Sequence, residues 1–434
     1  MNPEIVWPAW LVAAPLTALF FWLMLRAGRR LRLLCDTPTS KAKGVFIGQV
    51  ELCGRALLAT PERSFLAGTE CVWFEYAVEE EWSRWETETY TDSKGQRKTR
   101  RVRKSGWTRI ASGGAAPAFA VEDDTGAVRV RPEGADMQAE CVFSETVGRG
   151  AALYFGKGPA GEISDSTGRR RFVEHAIRQG AEVFVAGRAR ERDDVVAPEI
   201  AADPEAELFV ISCRGEGRVQ RGYRWGFWGC GVLFLLPLPI AWLIQANHDQ
   251  RPPVTVALAL GGTLAGVWLA GWCWMTFNSL VQLRNRVAQA GSLIEVQLKR
   301  RADLIPRLVA VVAGLRDHER TVQTELATLR AQSQATPLGE PGPDLVGARP
   351  VVQSVVERYP ALKSDAAFLG LQRELSDTEL RIALARDYRN AIATHLNTRL
   401  QIVPDRWIAP LAGLRRQELW RAEGFERAAV RVGF

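Results

Sequence analysis

The sequence predicts an α+β multi-domain membrane protein: three transmembrane helices, a mainly antiparallel β domain and a long antiparallel helical bundle. Three observations carry this prediction. Apolar runs at 5–25, 226–245 and 254–275 are each about the 20 residues needed to cross a bilayer. Between the first two, short β-branched and aromatic runs recur between turn residues. After the third, apolar residues keep the three-to-four spacing of a single helical face for many turns.

Composition narrows the function classes. The 434 residues suffice for two or three domains, and the 47% hydrophobic content is crowded into the three apolar runs. The net charge of +7 is carried almost wholly by arginine. In a chain with several spans such an excess marks topology and contact with membrane lipids, so no nucleic-acid partner is expected. The seven cysteines form no CxxC and only four histidines accompany them, so neither a zinc site nor a disulfide framework nor any cofactor is expected.

Residues 5–25 read as a retained anchor, because MNPE has no basic region and no small-residue cleavage site follows. Arg26, Arg29, Arg30 and Arg32 then mark the cytoplasmic side and put the amino terminus outside. Arg214, Arg218, Arg221 and Arg224 precede the second span, and Arg284 and Arg286 follow the third. Every flank places both large soluble pieces in the cytoplasm. No charged side chain interrupts the spans, which argues against an ion or proton pathway.

Residues 36–216 form the predicted β domain. Its strands are expected at GVFIGQVEL, CVWFEYAVEEEW, APAFAVED, AVRVRP, ALYFG, EVFVAGRA and LFVISC, with a hairpin turn at Asp124-Thr125-Gly126. One short helix is expected within Arg169 to Gly180, and a surface loop at Ala201 to Glu205. A long hairpin pairs EEEWSRWETETYT with TRRVRKSGWTR, so that Glu81, Glu86 and Glu88 face Arg100, Arg101, Arg103 and Lys104. The plainer reading of this hairpin is a solvated ladder of ion pairs. The sharper reading rests Lys94, Arg97 and Lys98, with Trp82, Trp85 and Trp107, on anionic headgroups or on a protein partner.

The helical domain spans 276–404, with a tail at 405–434. Its stripe runs through Leu283, Val287, Ala290, Ile294, Leu298, Ile305, Leu308, Val312 and Leu315. Continued to Arg330, it would stand roughly 80 Å off the bilayer at 1.5 Å per residue. Pro306 is expected to kink it, and Asp303 to bond the backbone freed there or to pair with Arg381 or Arg386. Gln332 to Pro350 reads as a loop and Val351 to Tyr359 as a short helix. The stripe returns between Ser364 and Leu400 as an antiparallel partner. Gly261, Gly262, Gly291 and Gly314 are candidates for close helix approach. Trp407, Trp420 and Phe425 leave the tail's docking site open between the helices and the β domain.

Two stretches look familiar. FNSLVQLRNRV, IEVQLKRRADLIPRLV, YPALK and LQRELSDTELRIALARDYRNAI, within 274–404, resemble the LemA family of membrane-anchored helical proteins. Arg307 and Leu380 depart from its pattern. That resemblance implies a cytoplasmic helical bundle with no established enzymatic activity. DTPTSKAKGVFIGQVEL, CVWFEYAVEEEW, FAVEDDTGAVRVRP and QGAEVFVAGRA, within 36–213, resemble the GIDE, or beside-a-membrane, domain of mitochondrial membrane ubiquitin ligases. Where those ligases carry a zinc-bound RING, this chain has the helical domain and no paired cysteines, so ligase activity is not implied.

Catalytic motifs are absent from the sequence. Gly156-Lys157-Gly158 lacks the phosphate-loop frame and reads as a turn. Glu174-His175 and Asp317-His318-Glu319 set an imidazole beside carboxylates, but neighbours in sequence point to different faces, so solvated patches are expected. The leading expectation is a non-enzymatic membrane scaffold that forms a homo-oligomer through its long helices. The alternative is a sensor whose β domain binds a ligand or protein partner and signals to the bundle.

Overall fold

The computed structural model describes residues 7–91, 96–192, 194, 197–248, 254–314 and 366–420. Lys94, Asp317, His318, Glu319, Phe425, the linker at 332–350 and the short helix expected at 351–359 lie outside the described residues. The chain divides into two compact units, Thr39–Arg221 on one hand and Met1–Pro38 with Gly222–Phe434 on the other.

The first unit is built from β1 (Thr39–Ser40), β2 (Gly48–Leu57), β3 (Glu62–Arg63), β4 (Glu70–Thr91), β5 (Arg97–Ala115), β6 (Phe119–Glu122) and β7 (Ala127–Val130). It continues with β8 (Asp136–Gln138), β9 (Glu140–Gly148), β10 (Ser166–Arg178), β11 (Glu182–Glu191), β12 (Pro198–Ala201) and β13 (Val210–Ser212). Strand β2 pairs with both β6 and β11, and the path β2-β6-β7-β12-β11 returns to β2, so these strands close into a small barrel. Closure leaves no open edge among them. Alternate residues fill its interior: Val50 and Leu52, Phe119 and Val121, Val128 and Val130, Val183 and Val185 are all buried. Pairing is mainly antiparallel, but β1–β2, β7–β12 and β8–β13 are parallel. The Asp124-Thr125-Gly126 turn joins β6 to β7. Asp123 accepts bonds from the Thr125 and Gly126 amides and from the Ala42 amide at 2.8 Å.

The second sheet is centred on β4, flanked by β10 and β5. Two expectations fail here. Within 169–180, where one short helix is expected, residues 169–178 instead form most of β10. Arg170, Phe172, Glu174 and Ala176 are buried in alternation, and pairing to both β4 and β9 overrides the local preference. ALYFG, read as a strand, is instead the short helix α2 (Ala152–Gly156), which turns Tyr154 fully inward.

Arg170, itself fully buried, explains how that corner holds together. Its guanidinium donates to Glu80 Oε2 at 3.0 and 3.1 Å and to the carbonyls of Tyr154 at 2.8 Å, Pro159 at 2.7 Å and Gly161 at 2.6 Å. Glu80, also fully buried, accepts on its other oxygen from the Tyr154 and Ser166 hydroxyls. A buried ion pair is tolerated when its remaining hydrogen-bonding capacity is met in this way.

The second unit is helical. It comprises α1 (Trp7–Cys35), α3 (from Glu216 in the first unit to Leu235), α4 (Pro237–His248), α5 (Val254–Gly314), α6 (Ala366–Arg399) and α7 (Asp405–Ile408), which runs into a 3-10 turn at Ala409–Ala412. Among the described residues, Leu11–Cys35, Glu216–Ile244 and Leu258–Leu304 contain three helical stretches long and apolar enough to cross a membrane. The first helix is longer than the 5–25 expected, because it continues through the arginine cluster to Cys35. The second breaks at Leu236, where Pro237, lacking an N–H, opens a new helix. The third runs without interruption through Pro306 to Gly314, a helix of 61 residues and roughly 90 Å.

Helix α6 lies antiparallel along α5. Ser279 meets Arg399 while Arg301 meets Glu379, so one number rises as the other falls. Leu280, Leu283, Val287 and Ala290 pack with Ile392, Ala393 and Leu396, and Ile294 and Leu304 are buried further along. Leu298 is half-buried, and Gln297 beside it is buried. Asp303 departs from expectation: it is exposed. Nine residues beyond Ile294 is two and a half turns, the opposite face of the helix. Arg381 pairs instead with Asp377 at 2.9 Å, and Arg386 lies over Trp420. The glycines that meet another helix closely are Gly28, against Met275, and Gly271, against Phe21; Gly261, Gly262 and Gly291 face open space.

Candidate interaction surfaces

In the β unit the strongest surface feature is an arm. Strand β4 pairs with β10 only as far as Trp82, whereas its pairing with β5 continues to Thr91 opposite Arg97. Beyond Trp82 the two strands form a two-stranded ribbon, which is marginal in water without added contacts. The register assigns its faces, because directly opposed residues point the same way. One face carries Arg84, Glu86, Glu88 and Tyr90 opposite Lys104, Val102, Arg100 and Lys98. Both of its carboxylates are paired, against four cations: Lys104 reaches Glu86 at 2.8 Å and Glu88 at 3.2 Å, and Arg100 lies 3.7 Å from Glu88. These pairs are solvated and contribute little stability. Glu81 turns instead to Thr167 and Arg169 of β10.

The other face carries Ser83, Trp85, Thr87 and Thr89 opposite Ser105, Arg103, Arg101 and Thr99, with Arg97 beyond them. It has three arginines and no carboxylate. Trp85 is 61% exposed, with the Arg101 guanidinium 5.8 Å from its ring centre. Trp82 and Trp107, expected to join this surface, are half-buried at the arm's base. They serve as platforms for Arg84 at 5.2 Å and Arg171 at 4.8 Å. The sequence displayed the basic run, but the division of its charge between two faces emerges only from the register.

In the helical unit the polar residues converge where α1 ends. Arg399, the last residue of α6, donates to Asp36 Oδ2 at 2.6 Å, to Ser279 Oγ and to Asp405 Oδ2 at 2.6 Å. Ser279 donates to Asp36 at 2.8 Å, Arg286 to Thr37 at 2.7 Å, and Arg32 to Thr276 at 2.8 Å. Side chains from the end of α1, the middle of α5 and the end of α6 are thereby tied together. Sequence reasoning missed this cluster, because Asp36, Ser279 and Arg399 come together only through the fold.

The residues searched for chemistry are occupied structurally. Glu174 is buried and accepts from the Leu66 and Ala67 amides at 2.9 and 2.8 Å, while His175 is exposed on the opposite face. Lys157 donates to the Phe65 carbonyl at 2.7 Å. Burial pushes the Cys71 and Cys213 thiols up to about 11, so at pH 8 both are protonated and poorly nucleophilic. Timed maleimide labelling of the folded protein at that pH should therefore modify exposed Cys141 well before either of them. An open cavity of about 830 Å³ is lined by Cys53, Arg55, Glu122, Asp123, Glu182 and Arg214, among others, and so presents both signs of charge.

Comparison with known families finds two models on separate stretches of the chain. The LemA family model matches residues 290–434, and the GIDE model, described as an E3 ubiquitin ligase, matches residues 87–242. Over 159 residues the chain is 24% identical to Protein LemA of Metamycoplasma hominis, covering 35% of this chain and 72% of that protein.

Proposed function

We propose that this chain, which joins a GIDE-type domain to a LemA-family helical region, is a non-enzymatic scaffold of the bacterial inner membrane with both soluble parts in the cytoplasm. The observation that carries the reading is α5: one helix contains an apolar run long enough for a bilayer and the stripe that α6 covers. The α5–α6 pair is the core of a helical bundle that associates laterally with other copies. Gln282, Gln289 and Val296 recur every seven residues on α5 away from the stripe, and Val296 is 60% exposed. Confinement to a membrane raises the effective concentration of such a face. Single cysteines at 282 or 289, with exposed native cysteines replaced by serine, should cross-link copies in native membranes. A purely monomeric pattern there, together with a monomer in mild detergent, would remove the scaffold reading.

The carboxylate-free face of the arm is the proposed lipid contact. Arg97, Arg101 and Arg103 near an anionic surface are worth about 1 kcal/mol each, or roughly a hundredfold together, and the contact weakens with salt. A fluorophore at Thr87→Cys of the reconstituted protein should be quenched by headgroup-labelled lipid in phosphatidylglycerol vesicles. Quenching should be lost in R97Q/R101Q/R103Q. Equal quenching in neutral vesicles would exclude an electrostatic contact.

A second reading, a sensor, is favoured by the cavity of mixed charge among β2, β6 and β11, which suits a small zwitterionic ligand. Screening zwitterions against the full chain for a saturable thermal shift tests it.

A further inference from the structure

Helix α6 ends where the apolar run of α5 ends. Arg301 of α5 meets Glu379 and Ser279 meets Arg399, so α6 descends towards that run, and residues 400–413 turn at its foot. The turn is anchored from within. Ile408 and Ala409 are buried in one cluster with Leu280 and Leu283, and Trp272 and Cys273 pack against the same cluster. Trp272 packs also against the cluster of Met24, Phe227 and Met275, which joins the apolar helices to one another. About 20 residues cross the hydrocarbon, so a span that begins at Val254 reaches its edge near Cys273. From Ser279 back to Trp272 is about 10 Å of helix, against roughly 5–7 Å for the polar layer of one leaflet, so the turn reaches through that layer. The surface of α5 gives the same level. Its exposed large apolar side chains run from Val256 to Trp274 and Phe277 and, among the described residues, resume only at Val296.

The outer side of the turn is the reverse of what water favours. Ile402 and Val403 are exposed, and Trp407 and Leu411 are 70% and 79% exposed, as open as Leu11 and Leu258 of the apolar stretches at 71% each. Residues 400–413 contain one carboxylate, Asp405, and Arg399 holds it at 2.6 Å. Arg406 beside it is exposed, as are Arg415 and Arg416 just beyond the turn. Large apolar side chains with basic and no free acidic neighbours fit the boundary between acyl chains and phosphates, where tryptophan concentrates. We infer that this turn is a second, non-spanning membrane anchor, with Ile402, Val403, Trp407 and Leu411 seated in the leaflet that α5 leaves. Lipid is the occupant because the turn packs at the level where α5 itself passes out of the hydrocarbon. The foot of α6 is thereby held twice, by Ile408 and Ala409 on α5 and by its outward side chains in lipid. The inference rests on α5 crossing the membrane, and it holds for either orientation of the chain.

The test places a fluorophore on single cysteines of the full chain in vesicles of phosphatidylcholine and phosphatidylglycerol, with exposed native cysteines replaced by serine. Three positions are compared: Trp274→Cys on the apolar run, Leu411→Cys on the turn and Glu418→Cys beyond it. Glu418 accepts a backbone bond from Arg389, about 15 Å back along α6 from Arg399. Labels at 274 and 411 should lose most of their emission to lipid carrying a shallow acyl-chain nitroxide and be protected from aqueous iodide, and the label at 418 should do the reverse. A second measurement leaves the turn unaltered: a photoactivatable phosphatidylcholine should form an adduct on the tryptic peptide Trp407–Arg415. Iodide quenching at 411 beside lipid quenching at 274 would overturn the anchor and leave the span standing. Shielding of 411 from both quenchers, with no lipid adduct on the peptide, would mean that protein covers the turn and would also overturn it. Absence of lipid quenching at 274 would remove the spanning helix on which the inference rests.

Discussion

Replacing Arg170 with methionine is expected to destabilise the β unit by about 3–5 kcal/mol, the usual cost of removing one partner from a buried ion pair. Both side chains are fully buried, so no solvent reaches Glu80 to compensate. The carbonyls of Tyr154, Pro159 and Gly161 lose their donor in the same step, and the loop carrying them loses its anchor. Urea unfolding of the full chain, followed by hydrogen exchange at β10 amides, measures the loss. The double variant E80M/R170M should be less damaging than the two single changes added together, because it leaves no orphaned charge. A single-variant cost below about 1 kcal/mol would mean that the site relaxes or admits water.

Arg399→Leu is expected to have the next largest effect, about 2–4 kcal/mol on the helical unit. Arg399, Asp36 and Asp405 have side chains only 14%, 10% and 15% exposed. The variant leaves Asp36 and Asp405 near one another with Arg32, which bonds Thr276, as the remaining cation beside them. Asp405→Asn in the R399L background should recover part of the loss, which a simple packing defect would not allow. Thermal unfolding in detergent, with proteolysis at the end of α6 as a second readout, distinguishes the two. If R399L unfolds at the wild-type temperature, the cluster is not what ties α1 to α5 and α6.

Periodicity made the long elements legible. The stripe from Leu283 to Ile294 and its partner around Ile392 and Leu396 could be read because a helix with one covered face repeats its pattern for many turns. Short elements were not legible. ALYFG is five residues, too few to establish a period, and it is helical because Tyr154 must reach Glu80. Residues 169–178 form a strand because neighbours on both sides demand it, a non-local cause invisible in RRRFVEHAIR itself. Adjacency to Pro306 suggests a structural role for Asp303, but the turns counted from Ile294 place it outward. The basic hairpin showed its composition, but its carboxylate-free face required the register of β4 on β5.

The central claim is that α5 is one helix from its apolar run into the stripe covered by α6. Hydrogen exchange of the protein in lipid nanodiscs tests it most directly. Continuous slow exchange from Leu264 through Leu304, with no gap near Thr276, is the predicted result. Rapid exchange between Thr276 and Leu283, separating the apolar run from the stalk, would contradict it.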